Sequence, residues 1–188
     1  LYASGSTSVG WWAMFITMIG DMSAYASLLF GYFFFWTVHD DFPPDPAAGP
    51  GLFWPVVAVA LLLGAWVCTL LSRRWNRRDR PLAFTLGLGL GAVLNVAGIL
   101  ALLAGPHLNG LDPTRHVYPA TVWVLVLWTT IHLGVGLVMQ CYCIARRWAG
   151  RMTAEHDIDI RNVTLYWHFM AITAGVTVLV IAGFPLLA

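Results

Sequence analysis

Five long apolar runs, separated by short polar connections, dominate the sequence. A helix that crosses a bilayer core of about 30 Å needs about 20 apolar residues, and each run is long enough. The runs cover approximately residues 9–38, 53–72, 82–104, 117–145 and 163–187. None shows the weak alternation over about ten residues that is typical of an outer-membrane β-barrel strand. The pattern predicts an all-α integral membrane bundle of five transmembrane helices, in a single transmembrane domain over residues 1–188.

The scarcity of charge excludes several classes of protein. Charged residues make up 10% of the chain, whereas a soluble domain carries about 25%. So few charges cannot cover a globular surface, which excludes a soluble enzyme and a disordered tail. The formal net charge of +1 excludes a nucleic-acid binder, because that function needs a surplus of basic residues. The three cysteines offer no disulfide framework.

The distribution of arginine predicts the orientation in the membrane. All ten basic residues are arginines, and nine of them lie in the second and fourth connections. The positive-inside rule places these connections in the cytoplasm, so we expect a cytoplasmic N-terminus and a C-terminus outside. The second connection includes Arg73, Arg74 and Arg77. We expect these residues either to set the topology alone or also to attract anionic lipid headgroups, at about 1 kcal/mol per residue.

Asp21 is the outstanding polar residue inside a predicted span. It follows Trp11 by ten residues, which is about 15 Å along a helix and near the membrane midplane. An ionisable side chain in hydrocarbon costs a few kcal/mol or more, so it is a candidate functional group. Tyr25 lies one turn further along the same face. Two interpretations stay open: a proton-exchanging or lipid-facing site at Asp21 and Tyr25, or a hydrogen-bonded carboxyl that only packs helices together.

Two histidines, His132 and His168, lie inside different spans. Histidine is a common axial haem ligand, so a small haem-bearing membrane cytochrome is one alternative. The expected depths argue against it, because the residues lie about 20 Å and about 10 Å from the inner ends of their spans. One haem needs both rings at one level. We therefore expect interhelical hydrogen bonds for both histidines, with no metal site and no cofactor in this chain.

The third span carries small residues at helical spacing. Gly87 and Gly91 form the pattern of small residues four positions apart that lets two membrane helices approach closely. Asn95 continues this face one turn later. We expect a packing face on which Asn95 donates an interhelical hydrogen bond, with a partner helix in this chain or in another.

Three segments carry a family resemblance. An acidic residue precedes an aromatic run within Trp11–Trp36, His132–Gly136 reads His-Leu-Gly-Val-Gly, and Tyr166–Phe169 reads Tyr-Trp-His-Phe. In order and separation these segments resemble subunit III of the haem-copper cytochrome c oxidases. That family normally has Glu preceded by Ser at the acidic position, where this chain has Asp preceded by Gly. The chain is similar to the five-helix form, which exists as a separate subunit or as a module fused behind subunit I.

The resemblance implies an accessory subunit, without catalytic residues, of a proton-pumping respiratory oxidase in the plasma (inner) membrane of a bacterium. It implies subunit I as the main partner, alongside subunit II and other subunits, and it implies bound phospholipid. Haem and copper would then belong to the partner subunits. The implied role is to support proton uptake and the stability of the complex during oxygen reduction. An accessory subunit of a nitric oxide reductase is the related alternative.

The resemblance also implies roles for individual residues. Asp21 is implied to be a protonatable group near the interface with subunit I. Tyr166 and His168, with Trp167 between them, are implied to tie the last helix to its neighbours.

Overall fold

The structure, a computed structural model, describes residues 8–44 and 49–186 and contains five long helices. They are α1 (Val9–Val38), α2 (Phe53–Arg77), α3 (Pro81–Leu108), α4 (Val117–Trp148) and α5 (Ile158–Val178). α5 continues into a π-helical turn, Leu179–Gly183, and a 3₁₀ turn, Phe184–Leu186. Each of the five is long and apolar enough to cross a membrane, and the described part of the chain contains no strand. The predicted all-α membrane bundle of five helices is confirmed.

Several helices extend beyond the predicted apolar spans. α2 continues past residue 72 to Arg77, and α5 begins at Ile158, five residues before the predicted start. Hydropathy locates the part of a helix that suits the bilayer core, whereas the helix itself ends where its last backbone groups are capped. The predicted end of the fifth span, Leu187, lies outside the described residues.

α2, α3 and α4 end in the same capping motif. In each case the residue after the cap has a positive φ and donates its N–H to a carbonyl of the last helical turn. These residues are Asp79 (φ 51°), Gly110 (φ 68°) and Gly150 (φ 67°). The next residue donates to the carbonyl one position earlier, which completes a Schellman motif. The chain therefore reverses within a few residues, and consecutive helices run antiparallel.

α4 and α5 form the centre of the bundle. The hairpin of α2 and α3 packs on one side, with α2 against α5 and α3 against α4. α1 lies on the other side and contacts both α4 and α5. α1 is the least covered of the five helices, so most of its circumference faces the surroundings of the bundle.

The glycine face of α3 packs against α2 of the same chain. A Cβ placed on Gly87 would lie 2.4 Å from the ring of Trp75 and 2.7 Å from the hydroxyl of Ser72. A Cβ on Gly91 would lie 3.3 Å from the carbonyl oxygen of Ala65. The missing side chains let the two helices approach closely, and such van der Waals packing holds helices together in lipid. The sequence alone does not indicate whether the partner helix of α3 belongs to this chain or to another, and the structure identifies it as α2.

Buried amides join the α2–α3 hairpin to α4. Asn95 is fully buried and its Nδ2 donates to the carbonyl oxygen of Leu133 at 3.0 Å. Gln140 is also fully buried, and its Nε2 donates to the hydroxyl of Thr69 at 3.0 Å. Interhelical hydrogen bonds of this kind contribute about 0.6 kcal/mol each on average.

Polar contacts join the α2–α3 and α4–α5 connections at one end of the bundle, which we name the arginine-rich end. The guanidinium of Arg147 pairs with the carboxylate of Asp79. Asn76 donates from Nδ2 to the carbonyl oxygen of Thr153 at 3.0 Å. Both connections therefore lie on the same side, in agreement with the clustering of nine arginines within residues 73–81 and 146–162.

Asp157 is the buried carboxylate of the arginine-rich end. Its side chain is 1% exposed, with Oδ1 2.6 Å from Nε of Arg161 and Oδ2 3.8 Å from Nε of Arg77. Arg161 belongs to the first turn of α5 and Arg77 to the last turn of α2. Asp157 thus neutralises charge between two helices that are distant in sequence.

The three arginines predicted as lipid-headgroup ligands occupy different surroundings from those expected. Arg73, Arg74 and Arg77 belong to the last turns of α2 and not to a connection. Arg73 is half-buried, Arg77 pairs with Asp157, and Arg74 is exposed. The helix distributes these side chains around its axis, and their contact with lipid headgroups stays a prediction.

Candidate functional site

Asp21 lies on the inward face of α1. The less exposed residues of this helix recur every three or four positions, from Met14 and Met18 through Asp21 and Tyr25 to Tyr32. This spacing is typical of a helix that packs along one seam. The carboxyl of Asp21 is therefore directed towards α4 and α5, although 33% of its side chain remains exposed.

The nearest basic group to Asp21 is the imidazole of His132 on α4. Nε2 of His132 lies 3.8 Å from Oδ2 of Asp21, and the histidine side chain is 18% exposed. This separation is about 1 Å longer than a direct hydrogen bond. One bridging water or a small side-chain movement closes such a gap.

Contacts with residues of α4 and α5 fix the position of His132. Its Nδ1 lies 2.8 Å from the carbonyl oxygen of Trp128, one turn earlier on α4. The imidazole also stacks on the indole of Trp128, with ring centres 3.9 Å apart. From α5, the hydroxyl of Tyr166 donates to the carbonyl oxygen of His132 at 2.8 Å. The ring therefore has a defined direction, with Nε2 towards α1.

Tyr25 is buried and joins α1 to α5. Its side chain is 2% exposed, and its hydroxyl donates to the carbonyl oxygen of Thr173 at 3.0 Å. The same hydroxyl lies 2.8 Å from Oγ1 of Thr177, which in turn lies 3.0 Å from Oγ1 of Thr129 on α4. Tyr25 therefore faces the interior of the bundle and not lipid. Its ring stacks on Trp128 at 4.7 Å, which places it beside the Asp21–His132 pair.

Tyr166, Trp167 and His168 point in different directions from α5. Tyr166 bonds to α4 as described above, and Trp167 is fully buried. His168 is exposed, and its Nδ1 lies 2.6 Å from the carbonyl oxygen of Thr164 on the same helix. Among the described residues, the interhelical contact of His168 is a T-shaped ring contact with Trp66, with ring centres 5.6 Å apart, and not the expected hydrogen bond.

The structure separates the two histidines that a haem would need. His132 faces α1 and Asp21, whereas His168 faces α2 and Trp66. Within residues 8–44 and 49–186, no group of three or more His, Cys, Asp or Glu side chains converges on one point. The described residues therefore bring His132 close to Asp21 and not close to His168.

Sequence reasoning singled out Asp21 and His132 separately and missed that they meet. It also missed Trp128, whose carbonyl and ring both contact His132. The spacing of four residues between Trp128 and His132 is the signal that could have found this contact, because such residues are neighbours on a helix. No pattern in the local sequence indicates that Asp21 on α1 lies next to His132 on α4.

Two known proteins are similar to this chain over most of its length, although comparison with models of protein families gave no match. The chain is 26% identical over 183 residues to the cytochrome bo(3) ubiquinol oxidase subunit 3 of Pseudomonas aeruginosa, covering 90% of this chain and 81% of that protein. It is 24% identical over 176 residues to the cytochrome c oxidase subunit 3 of Lumbricus terrestris, covering 85% of this chain and 64% of that protein.

The similarity reaches beyond the motif-bearing segments. Those segments lie in α1, α4 and α5, whereas the matched regions cover 85–90% of the chain. The similarity therefore extends into the α2–α3 hairpin, where no motif had been recognised. The predicted resemblance to subunit III of the haem-copper oxidases is thereby confirmed.

Proposed function

We propose that the chain is an accessory subunit of a bacterial respiratory oxidase and packs on the catalytic subunit I of that complex. The similarity to two oxidase subunits 3 supports this role. Oxygen reduction, with its haem and copper, is the task of the partner subunits. This chain contributes proton uptake, lipid binding and stability of the complex during turnover.

The observation that carries this proposal is the Asp21–His132 pair on the least covered helix. Asp21 remains 33% exposed between α1 and α4, so its carboxyl is open to contact from outside the bundle. Ionisable groups at membrane depth are expensive and are retained for function. We assign to Asp21 the role of a protonatable group near the interface with subunit I.

The orientation of the bundle follows from the arginine-rich end. Nine of the ten arginines lie within residues 73–81 and 146–162, that is, in the two connections at the arginine-rich end and the helix turns next to them. The positive-inside rule assigns this end to the cytoplasm. The N-terminus is then cytoplasmic and the C-terminus outside, in the bacterial inner membrane. The single transmembrane domain predicted over residues 1–188 is part of the same proposal.

A groove at the arginine-rich end supports the proposed binding of phospholipid. It has a volume of about 290 Å³ and is lined by Pro81, Leu82, Thr85, Arg147 and Trp148. Its apolar wall suits an acyl chain, while arginine and tryptophan at the end of a membrane helix suit the headgroup layer.

Replacing Asp21 by asparagine tests the proposed role. We expect the Asp21→Asn complex to keep its haem absorption spectrum, because no haem ligand changes. Proton uptake should slow severalfold, or the enzyme should lose activity after severalfold fewer turnovers, because asparagine cannot exchange a proton. The measurements are the visible spectrum, stopped-flow proton uptake and the turnover lifetime of the purified complex.

Ser23→Ala is the matched control for this experiment. Ser23 is an exposed residue of α1, and its hydroxyl donates to the carbonyl oxygen of Ile19 in the same helix. Its removal should leave all three measurements unchanged. If Asp21→Asn behaves like this control, Asp21 serves packing alone.

A further inference from the structure

The contacts of His132 define which of its nitrogens carries a proton. Nδ1 lies 2.8 Å from the carbonyl oxygen of Trp128, and a carbonyl oxygen only accepts hydrogen bonds. Nδ1 must therefore be the N–H donor. In the neutral ring, Nε2 then keeps its lone pair, and Nε2 lies 3.8 Å from Oδ2 of Asp21.

The facing atoms of the pair are both acceptors unless a further proton lies between them. A carboxylate offers only lone pairs, and so does Nε2 of the neutral ring. We propose that the gap of 3.8 Å between Oδ2 and Nε2 closes to hydrogen-bond length through a small side-chain movement, and that Asp21 and His132 then hold one exchangeable proton between these atoms and act as a single proton-binding unit. This inference deepens the proposed function and rests on it, because it names the partner through which Asp21 handles a proton.

The proton transfer within the pair is balanced and leaves the net charge unchanged. When the proton moves from Asp21 to His132, the O–H bond of the carboxyl breaks and an N–H bond forms at Nε2. The neutral acid and neutral ring become a carboxylate and an imidazolium, so the sum of charges is zero in both states. A neutral pair avoids the penalty of an isolated charge in a low-dielectric site.

The other polar groups around the pair are already engaged. From α5, the Tyr166 hydroxyl donates to the carbonyl oxygen of His132. From α1, the Tyr25 hydroxyl is bound to Thr173 and Thr177. Among the described residues, neither Asp21 nor His132 forms a second ion pair, so the two face each other as mutual partners.

Infrared difference spectroscopy of the intact complex in membranes tests the proposal. Bands that disappear in Asp21→Asn belong to Asp21, whether its proton lies on Oδ2 or on Nε2. We expect His132→Gln to shift these bands and to change their response to deuterium exchange, because the proton partner is lost. His132→Asn provides a second variant if His132→Gln fails to assemble.

His168→Gln is the matched control. His168 also lies in a span, and its Nδ1 also contacts the carbonyl oxygen four residues earlier, but it faces Trp66 and not a carboxyl. This variant should leave the Asp21 bands in place. Asp21 bands that are equally insensitive to His132→Gln and His132→Asn would overturn the shared proton.

The functional readout separates this inference from the proposed function. If the Asp21 bands shift in His132→Gln while Asp21→Asn leaves turnover and proton uptake intact, the pair exists but the proposed role in turnover is wrong. If Asp21→Asn impairs turnover but His132→Gln leaves the Asp21 bands unchanged, the role of Asp21 in turnover stands and the shared proton is wrong. The single unit is supported if the Asp21 bands shift in His132→Gln and Asp21→Asn impairs turnover. The double variant Asp21→Asn/His132→Gln should then impair turnover no more than Asp21→Asn alone.

Discussion

Replacing Asp157 with alanine is expected to lower the free energy of unfolding by about 3 kcal/mol. The carboxylate is 1% exposed and compensates Arg161 at 2.6 Å and Arg77 at 3.8 Å. Its loss leaves two like charges facing each other across the α2–α5 contact. The expected effect is at the low end of the range for breaking a buried pair, because both arginines remain partly exposed.

The unfolding midpoint of the purified protein in mild detergent measures this effect. Asp112→Ala is the control, because Asp112 forms a comparable contact with Arg115 at 3.1 Å but at an exposed site. Hydrogen bonds from Thr114 hold the pKa of Asp112 below its usual value, so this carboxylate is charged at neutral pH. Its removal should change the midpoint little. Equal midpoints for the two variants would contradict the role of Asp157 as a buried clamp.

Gly87→Ala is expected to destabilise the α2–α3 hairpin by about 1–3 kcal/mol. The new Cβ would lie 2.4 Å from the Trp75 ring and 2.7 Å from Oγ of Ser72, which is closer than non-bonded atoms approach. Either the Trp75 ring and the Ser72 hydroxyl must shift or the two helices must separate. Since packing is the main attraction between helices in lipid, a small separation weakens the whole interface.

Gly89→Ala, two residues away on the same helix, provides the control for Gly87→Ala. A Cβ on Gly89 meets no atom within 4 Å, so alanine should be tolerated and should help the helix slightly. Thermal unfolding followed by tryptophan fluorescence compares the two variants. A Gly87→Ala protein as stable as Gly89→Ala would contradict the close packing of α2 and α3.

The number and type of helices could be predicted from the sequence, but not all of their ends. A run of about 20 apolar residues has few alternatives to a membrane helix. The continuation of α2 to Arg77 and the start of α5 at Ile158 have no hydropathy signal, because the added turns are polar. They depend on capping at Asp79 and on the ion pairs of Asp157.

The candidate site was only partly predictable for a related reason. The cost of a charge in hydrocarbon singles out Asp21 from the sequence alone. Its pairing with His132 depends on how α1 packs against α4, and this is set by contacts between residues more than 100 positions apart. His168 is a second example, because its Nδ1 bonds within α5 while its exposed ring contacts Trp66 of α2.

Purification of the chain from bacterial membranes in mild detergent tests the central claim most directly. The proteins that migrate with it in a native gel are identified by mass spectrometry, and a visible spectrum is recorded. We predict that a haem-copper catalytic subunit migrates with the chain, and that the chain shows no haem absorption once separated from its partners. A chain that migrates alone, or that carries haem or metal when isolated, would contradict the account.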